Sequence, residues 1–151
     1  MKRRELFAAA LAASLPALAS ATTPALPPVQ VWKSPTCGCC GAWVTHMRQA
    51  GFAVEVHEVQ DIDASRRLLG MPAVYGSCHT ARVAGYLLEG HVPAADVRRL
   101  LVMKPVAIGL AVPGMPIGSP GMEMDGRRDA YEVLLVERSG RSRVFARYGA
   151  A

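Results

Sequence analysis

The chain has 151 residues with a formal net charge of +5, and it contains 17 basic and 12 acidic residues. The basic residues form no run interleaved with aromatic residues, which argues against a nucleic-acid partner. Four cysteines and seven methionines are the chemically distinctive part of the composition.

An export signal is predicted at residues 1–21. Lys2-Arg3-Arg4 precedes an apolar, alanine-rich run at 6–18, and Ala19-Ser20-Ala21 is typical of a signal-peptide cleavage site. The apolar run is too short and too interrupted to act as a stable membrane anchor. Export is therefore expected through the Sec route, or through the twin-arginine route that the paired arginines resemble. Removal of the signal leaves 130 residues with a formal charge of +3, enough for one domain.

The rest of the chain alternates between strand and helix patterns after a proline-containing lead-in at 22–28. Hydrophobic periodicity predicts, in order, a strand at 29–32, a helix at 39–50, a strand at 52–59, a helix at 62–69, a short strand at 73–75, a turn at 76–82, a strand at 83–88 and a helix at 93–103. A cysteine motif begins the first helix and Pro72 precedes the third strand, as in a thioredoxin- or glutaredoxin-like domain.

The last third of the chain has a different composition. Residues 105–126 are rich in glycine, proline and methionine, which predicts a long loop of functional importance. Residues 131–136 and 143–145, joined through Ser139-Gly140, predict a terminal hairpin. The expected fold is thus a single α/β domain at 29–151: a thioredoxin-like domain with a Gly/Pro/Met-rich loop and a C-terminal β-hairpin extension.

Cys37, Cys39 and Cys40 lie at the predicted junction of the first strand and helix. Free backbone N–H groups and the helix dipole lower thiol pKa values there, and the thiolate both attacks disulfides and binds soft metals. The spacing of Cys37 and Cys40 is compatible with disulfide exchange, metal binding or a structural disulfide. A third cysteine is superfluous for an oxidoreductase, so Cys39 favours a metal site with bridging sulfurs.

Further candidate ligands lie later in the chain. Cys78-His79 is expected where the third strand ends, facing the cysteine motif, although an inert buried cysteine beside a surface histidine is the alternative. His91, just before the third helix, could reach the edge of the same site. Met115 and Met122 lie in a loop without apolar periodicity, and thioether ligands select Cu(I) over zinc. These donors together point to copper.

Five motifs are distinctive when taken together. They are Thr36-Cys-Gly-Cys-Cys40, Ser77-Cys-His-Thr80, Gly85-Tyr86, Glu89-Gly-His-Val-Pro93 and the segment 113–123. This set resembles the CopG-type family of small exported bacterial proteins associated with copper resistance. The resemblance spans roughly residues 29–147 and implies a thioredoxin-like fold and a multinuclear copper cluster that interconverts Cu(I) and Cu(II). The metal ligands that it suggests are Cys37, Cys39, Cys40, Cys78, His79, His91, Met115 and Met122.

The leading hypothesis is a periplasmic copper-binding protein of a copper-resistance and homeostasis system, with more than one Cu(I) ion per chain. A copper efflux pump or a redox partner is the expected protein partner, and turnover as a copper oxidoreductase is an open alternative. The rival hypothesis from another class is a metal-free thiol–disulfide oxidoreductase of the cell envelope. Neither a nucleic acid nor a stable membrane anchor is expected.

Overall fold

The computed structural model describes residues 25–149, so the predicted signal peptide at 1–21 and the start of the lead-in lie outside the described residues. Within 25–149, no helix is long and apolar enough to cross a membrane. The described chain contains β1 (Val29–Lys33), α1 (Gly38–Gln49), β2 (Val54–Glu58), α2 (Ile62–Leu69), a 3-10 helix (Ala73–Tyr75), β3 (His79–Val83), β4 (Tyr86–Glu89), α3 (Ala94–Met103), β5 (Gly109–Ala111), β6 (Tyr131–Val136) and β7 (Ser142–Tyr148).

The strands form one mixed sheet in the order β2-β1-β3-β4-β5-β6-β7. β1 pairs with β2 in parallel through the crossover helix α1, and β4 pairs with β5 in parallel through α3. The other neighbours are antiparallel. A two-residue turn at Ala84-Gly85, both with positive φ, joins β3 to β4 and suits the twist of a hairpin. The fold is therefore a mixed α/β architecture.

Helices α1 and α3 cover one face of the sheet. Trp43 of α1 and Leu100 of α3 are fully buried in one cluster with Val31, Leu88 and Leu110 of the sheet. A smaller buried cluster lies on the opposite face, under the segment that follows α2; its members are Met71, Tyr75, Leu87, Ala111 and Val136. The strands thus alternate between two apolar faces.

Helix α2 matches its predicted span, with Asp61 accepting a hydrogen bond from Ala64 N at 2.8 Å and Gly70 in the left-handed conformation. The predicted terminal hairpin is present as β6 and β7, with β7 longer than expected. The predicted α1 and α3 are also present, and α3 begins directly after Pro93.

The predicted third strand at 73–75 is wrong. These three residues form a 3-10 helix. The third strand is His79–Val83, which takes up the end of the predicted turn at 76–82 and the first residue of the predicted strand at 83–88; the rest of that strand begins only at Tyr86. A three-residue apolar run carries too little periodicity to separate the two structures. His79 and Thr80 are polar but buried, so the true strand lacked an apolar pattern. Cys78 consequently lies immediately before the third strand and not at its end.

The prediction of a continuous loop at 105–126 is also wrong at β5. Gly109 looks like a loop residue in the sequence, but a Cβ at this position would lie 1.7 Å from Leu87 O of the neighbouring strand. Glycine is therefore present because β4 and β5 approach closely, and not because the chain turns there.

Candidate metal centre

The first turn of α1 holds three of the four cysteines. Cys37 N donates to Ser34 O at 3.2 Å, and Cys37 caps the helix by accepting a hydrogen bond from Cys40 N at its sulfur, at 3.3 Å. Buried Lys33, the last residue of β1, donates from Nζ to Ser34 O at 2.8 Å and helps to close the connecting loop. We call residues 37–40 the helix turn.

The fourth cysteine, Cys78, immediately precedes β3, which is the neighbour of β1 in the sheet, and its sulfur lies close to the helix turn. All four cysteine sulfurs lie within 4.8 Å of one another. Cys39 Sγ is 3.4 Å from Cys37 Sγ and 3.8 Å from Cys78 Sγ. Cys37 and Cys40 are joined by a disulfide, whereas Cys39 and Cys78 are free thiols. The structure thus brings together the four cysteines that the sequence singled out.

Two histidines extend this group through Cys78. Cys78 Sγ lies 3.0 Å from His91 Nε2 and 3.6 Å from His79 Nδ1, and these three donor atoms are within 4.8 Å of one another. His91 Nδ1 donates to Pro120 O at 2.8 Å, which leaves Nε2 unprotonated and directed at the sulfur. We call Cys78, His79 and His91 the strand arm.

His79 is fully buried, which excludes the alternative of a surface histidine. Its ring packs on Trp43 with centroids 4.5 Å apart and meets the His91 ring edge-on at 5.0 Å. Among the described residues, His79 Nε2 has no hydrogen-bond partner. A buried imidazole nitrogen without a partner is destabilising, and this atom is distinct from Nδ1, which approaches Cys78.

Burial controls protonation in the strand arm. Desolvation, with the neighbouring Cys39 adding to it, raises the pKa of Cys78 to about 12. Desolvation lowers the pKa of His79 to about 3, with His91 adding to the decrease. Desolvation also lowers the pKa of His91, against the opposing effects of Pro120 O and Glu123. The imidazoles are therefore neutral, as metal ligands must be, and a soft ion would have to displace the proton of Cys78.

The Gly/Pro/Met-rich loop lies against the helix turn. A Cβ at Gly121, whose φ is +87°, would be 2.7 Å from Cys39 O and 2.8 Å from Trp43 N. Half-buried Met122 directly follows this contact, whereas the Met115 side chain is 53% exposed. The loop therefore borders the cysteines at Gly121, and the assignment of Met115 and Met122 as ligands stays a prediction.

The residues that support this array were not predicted from the sequence. Trp43 Nε1 donates to Val92 O at 2.9 Å, which holds the residue after His91. Arg66 and Glu89 form a buried ion pair behind Cys78. A glutamate at the end of the apolar segment 86–89 was the available signal, but only the fold reveals its partner.

Together these features define a class: a mixed α/β protein with a cysteine cluster of the kind that binds metal. Two solved structures resemble the chain. "Copper resistance protein copG- Form 2" is 44% identical with a TM-score of 0.78, and the alignment covers 82% of this chain and 99% of that one. "Copper resistance protein copG- Form 1" is 45% identical with a TM-score of 0.77, and the alignment covers 83% and 99%. The chain therefore belongs to the CopG family of copper resistance proteins.

A family model described as "Protein of unknown function, DUF411" matches residues 75–122, which include the strand arm and most of the Gly/Pro/Met-rich loop. No curated protein sequence matches the chain.

Proposed function

We propose that this protein is a periplasmic copper-binding protein of a copper-resistance and homeostasis system. It holds more than one Cu(I) ion in a multinuclear thiolate cluster. The observation that carries the proposal is a single array in which four sulfurs and two imidazoles meet, with Cys78 common to both groups. The name of the CopG relatives supports copper as the cargo.

The donor set fits a soft ion. Thiolates favour Cu(I), imidazole accepts copper in either oxidation state, and one thiolate can bridge two ions. Metal–sulfur bonds of about 2.3 Å allow two sulfurs on one ion to be up to roughly 4.6 Å apart. The separation of 3.8 Å between Cys39 and Cys78 falls within this limit. Cys37 and Cys40 become ligands only after their disulfide is reduced, because the thiolate is the binding form.

We assign the ligands as the four cysteines, His79 and His91, with Met115 and Met122 completing the site from the loop. The proposed fold is a thioredoxin-like core formed by β1–β4 with α1 and α3, extended by β5–β7. Its support is the cysteine motif at the start of α1, next to the parallel β1–β2 pair. The domain would span 29–151 after removal of an export signal at 1–21.

Copper handling in this site could include electron transfer. Oxidation of bound Cu(I) to Cu(II) releases one electron per ion, which an external redox partner of the cell envelope would accept. The protein would then act as a copper oxidoreductase before the ion passes to an efflux pump. Imidazole donors beside thiolates support this extension, since they suit Cu(II) as well as Cu(I).

A metal-free thiol–disulfide oxidoreductase is the second candidate, and the Cys37–Cys40 disulfide at a helix N-terminus favours it. Cys39 argues against it because its sulfur is 3.4 Å from Cys37. A thiol at this distance would compete for the disulfide and divert exchange with an external substrate.

Anaerobic titration of the fully reduced protein with Cu(I), against a competing chelator, tests the proposal. More than one ion per chain is expected, and Cys39→Ser should lower this capacity. Saturation at one ion, or a preference for zinc, would contradict the cluster. Rapid insulin reduction together with copper binding that is indifferent to Cys39→Ser would establish the oxidoreductase instead.

A further inference from the structure

A buried ion pair lies directly behind the strand arm. Arg66 Nε of α2 donates to Glu89 Oε1 at the end of β4, at 2.9 Å, and Glu89 is fully buried. Arg66 also pairs with exposed Asp63. Removing two charges from water is unfavourable, and an apolar pair of similar volume is often equally stable or more stable. Stability alone therefore does not account for charges at these positions.

The ion pair holds the residue that precedes Cys78. Ser77 N donates to Glu89 Oε1 at 2.8 Å, and Ser77 O accepts from Arg66 Nη2 at 2.6 Å. The Ser77 hydroxyl donates to Gly114 O, next to Met115 in the loop. The N–H, the C=O and the hydroxyl of Ser77 are thus all hydrogen-bonded. These bonds fix the backbone orientation at the residue before Cys78.

The same carboxylate belongs to the segment that carries His91. Glu89 is followed by Gly90, whose N–H donates to His79 O at 2.9 Å. A Cβ on Gly90 would lie 2.4 Å from Ser77 Oγ, so this glycine allows the two segments to touch. The ion pair therefore connects the start of β3 with the end of β4, and the two joined segments carry Cys78 Sγ and His91 Nε2, which are 3.0 Å apart.

We propose that Arg66 and Glu89 are positioning residues that preorganise Cys78 and His91 for copper. This inference rests on the proposed function in that it takes Cys78 and His91 as copper ligands. Without the pair, Ser77 would be free to move, and Cys78 would have to be ordered when the metal binds. Loss of groups that orient metal ligands typically lowers metal affinity by about 10–100-fold.

Two variants separate positioning from stability. Arg66→Met/Glu89→Leu replaces the pair by apolar side chains, and the half-buried backbone groups of Ser77 can then bond to water. The protein should therefore stay close to the wild type in stability while Cu(I) affinity falls about 10–100-fold. Glu89→Gln keeps an acceptor for Ser77 N but leaves Arg66 without its buried carboxylate partner. It should be less stable than the wild type yet retain Cu(I) affinity within about 3-fold, since Ser77 stays held. Arg66→Met/Glu89→Leu should therefore be the more stable of the two variants but should bind Cu(I) more weakly than Glu89→Gln.

A matched control is Arg147→Met/Glu132→Leu, which makes the same replacements in an exposed pair of the terminal hairpin. Copper affinity should equal that of the wild type. Chelator competition and chemical denaturation are measured on all four proteins, together with the thiolate-to-copper charge-transfer band in the ultraviolet. If affinity follows stability across the set, or if Arg66→Met/Glu89→Leu binds copper like the wild type, the positioning role is overturned.

A measurement without copper separates failure of this inference from failure of the proposed function. In a Cys37→Ser/Cys40→Ser background, the remaining thiols are Cys39 and Cys78, whose sulfurs are 3.8 Å apart. Diamide takes up the two electrons and two protons that these thiols release when they form a disulfide. Adding Arg66→Met/Glu89→Leu should slow this intramolecular oxidation about 10-fold if Cys78 is no longer held. An unchanged rate refutes positioning even where copper binds, whereas a slower rate in a protein that binds no copper refutes only the proposed function.

Discussion

The helix turn and the strand arm meet in one candidate metal site but are built in opposite ways. The helix turn places three sulfurs through one local element, with Cys37 as the cap of α1. The strand arm collects Cys78, His79 and His91 from two chain segments, and its geometry depends on buried contacts with α1, α2 and the Gly/Pro/Met-rich loop. A local motif can thus bring several sulfurs together, whereas buried contacts between distant segments determine where the other side chains of the array meet them.

Removing the sulfur shared by both regions should have the largest effect. Cys78→Ser should lower both the number of Cu(I) ions bound and the affinity, the affinity by at least about 100-fold. Structural zinc sites bind with about 10–16 kcal/mol over four ligands, so the loss of one thiolate is expected to cost several kcal/mol. Chelator competition under anaerobic conditions measures this loss. His57→Gln is the control, since His57 stacks on Trp32 outside the array. Equal affinity in Cys78→Ser and the control would mean that the strand arm is not part of the site.

The contact between the helix turn and the loop can be broken at a single glycine. Gly121→Ala should lower the free energy of unfolding by about 1–3 kcal/mol for the left-handed backbone alone, with a further loss from the clash with Cys39 O. Gly114→Ala is the matched control, because Gly114 has φ +71° but open space around its Cβ position. Urea denaturation of both variants should give the larger loss for Gly121→Ala. Equal losses would indicate that the loop does not lie on the helix turn.

Substituting the methionines tests whether the Gly/Pro/Met-rich loop contributes metal donors in addition to those of the helix turn and the strand arm. Met115→Leu/Met122→Leu keeps volume and apolarity, so stability should change by less than about 1.5 kcal/mol. If the thioethers are ligands, Cu(I) affinity should fall about 10-fold, because leucine has no donor atom. Chelator competition measures the affinity, and thermal unfolding of the metal-free protein measures the stability. Unchanged affinity would limit the site to the helix turn and the strand arm.

The smallest effect concerns His46, which connects α1 to the segment after His91. Ala94 N donates to His46 Nε2 at 3.0 Å, and burial lowers the pKa of His46 despite the opposing charge of Glu123. The unfolded chain therefore binds a proton more readily than the folded protein, and stability falls as pH decreases below about 6.5, the ordinary histidine pKa. His46→Gln keeps an acceptor but cannot titrate, so its denaturation midpoint should fall less than that of the wild type between pH 7 and pH 5. Parallel pH profiles of the two metal-free proteins would contradict this role.

The sequence determined the local elements because their causes are local. The cap and glycine stop of α2, the cysteines at the start of α1 and the terminal hairpin all depend on residues within a few positions of one another. Membership of the CopG family likewise followed from short motifs and is shown by the 44–45% identity to the solved structures. The kinds of side chain that meet in the array, thiol and imidazole, could be predicted from residue types alone.

The strand arm, in contrast, depends on contacts between residues that are far apart in the chain. His79 and Thr80 are polar residues in a buried strand, so hydrophobic periodicity could not locate β3. β5 was not predicted because it begins with Gly109, which is required by the close approach of Leu87 in β4 but is typical of a loop in the sequence. Arg66 and Glu89 are 23 positions apart in the chain. The sequence alone does not show which acidic residue pairs with which basic residue at such a separation. Burial created these partnerships, since a charge or imidazole removed from water must find its hydrogen bonds within the fold.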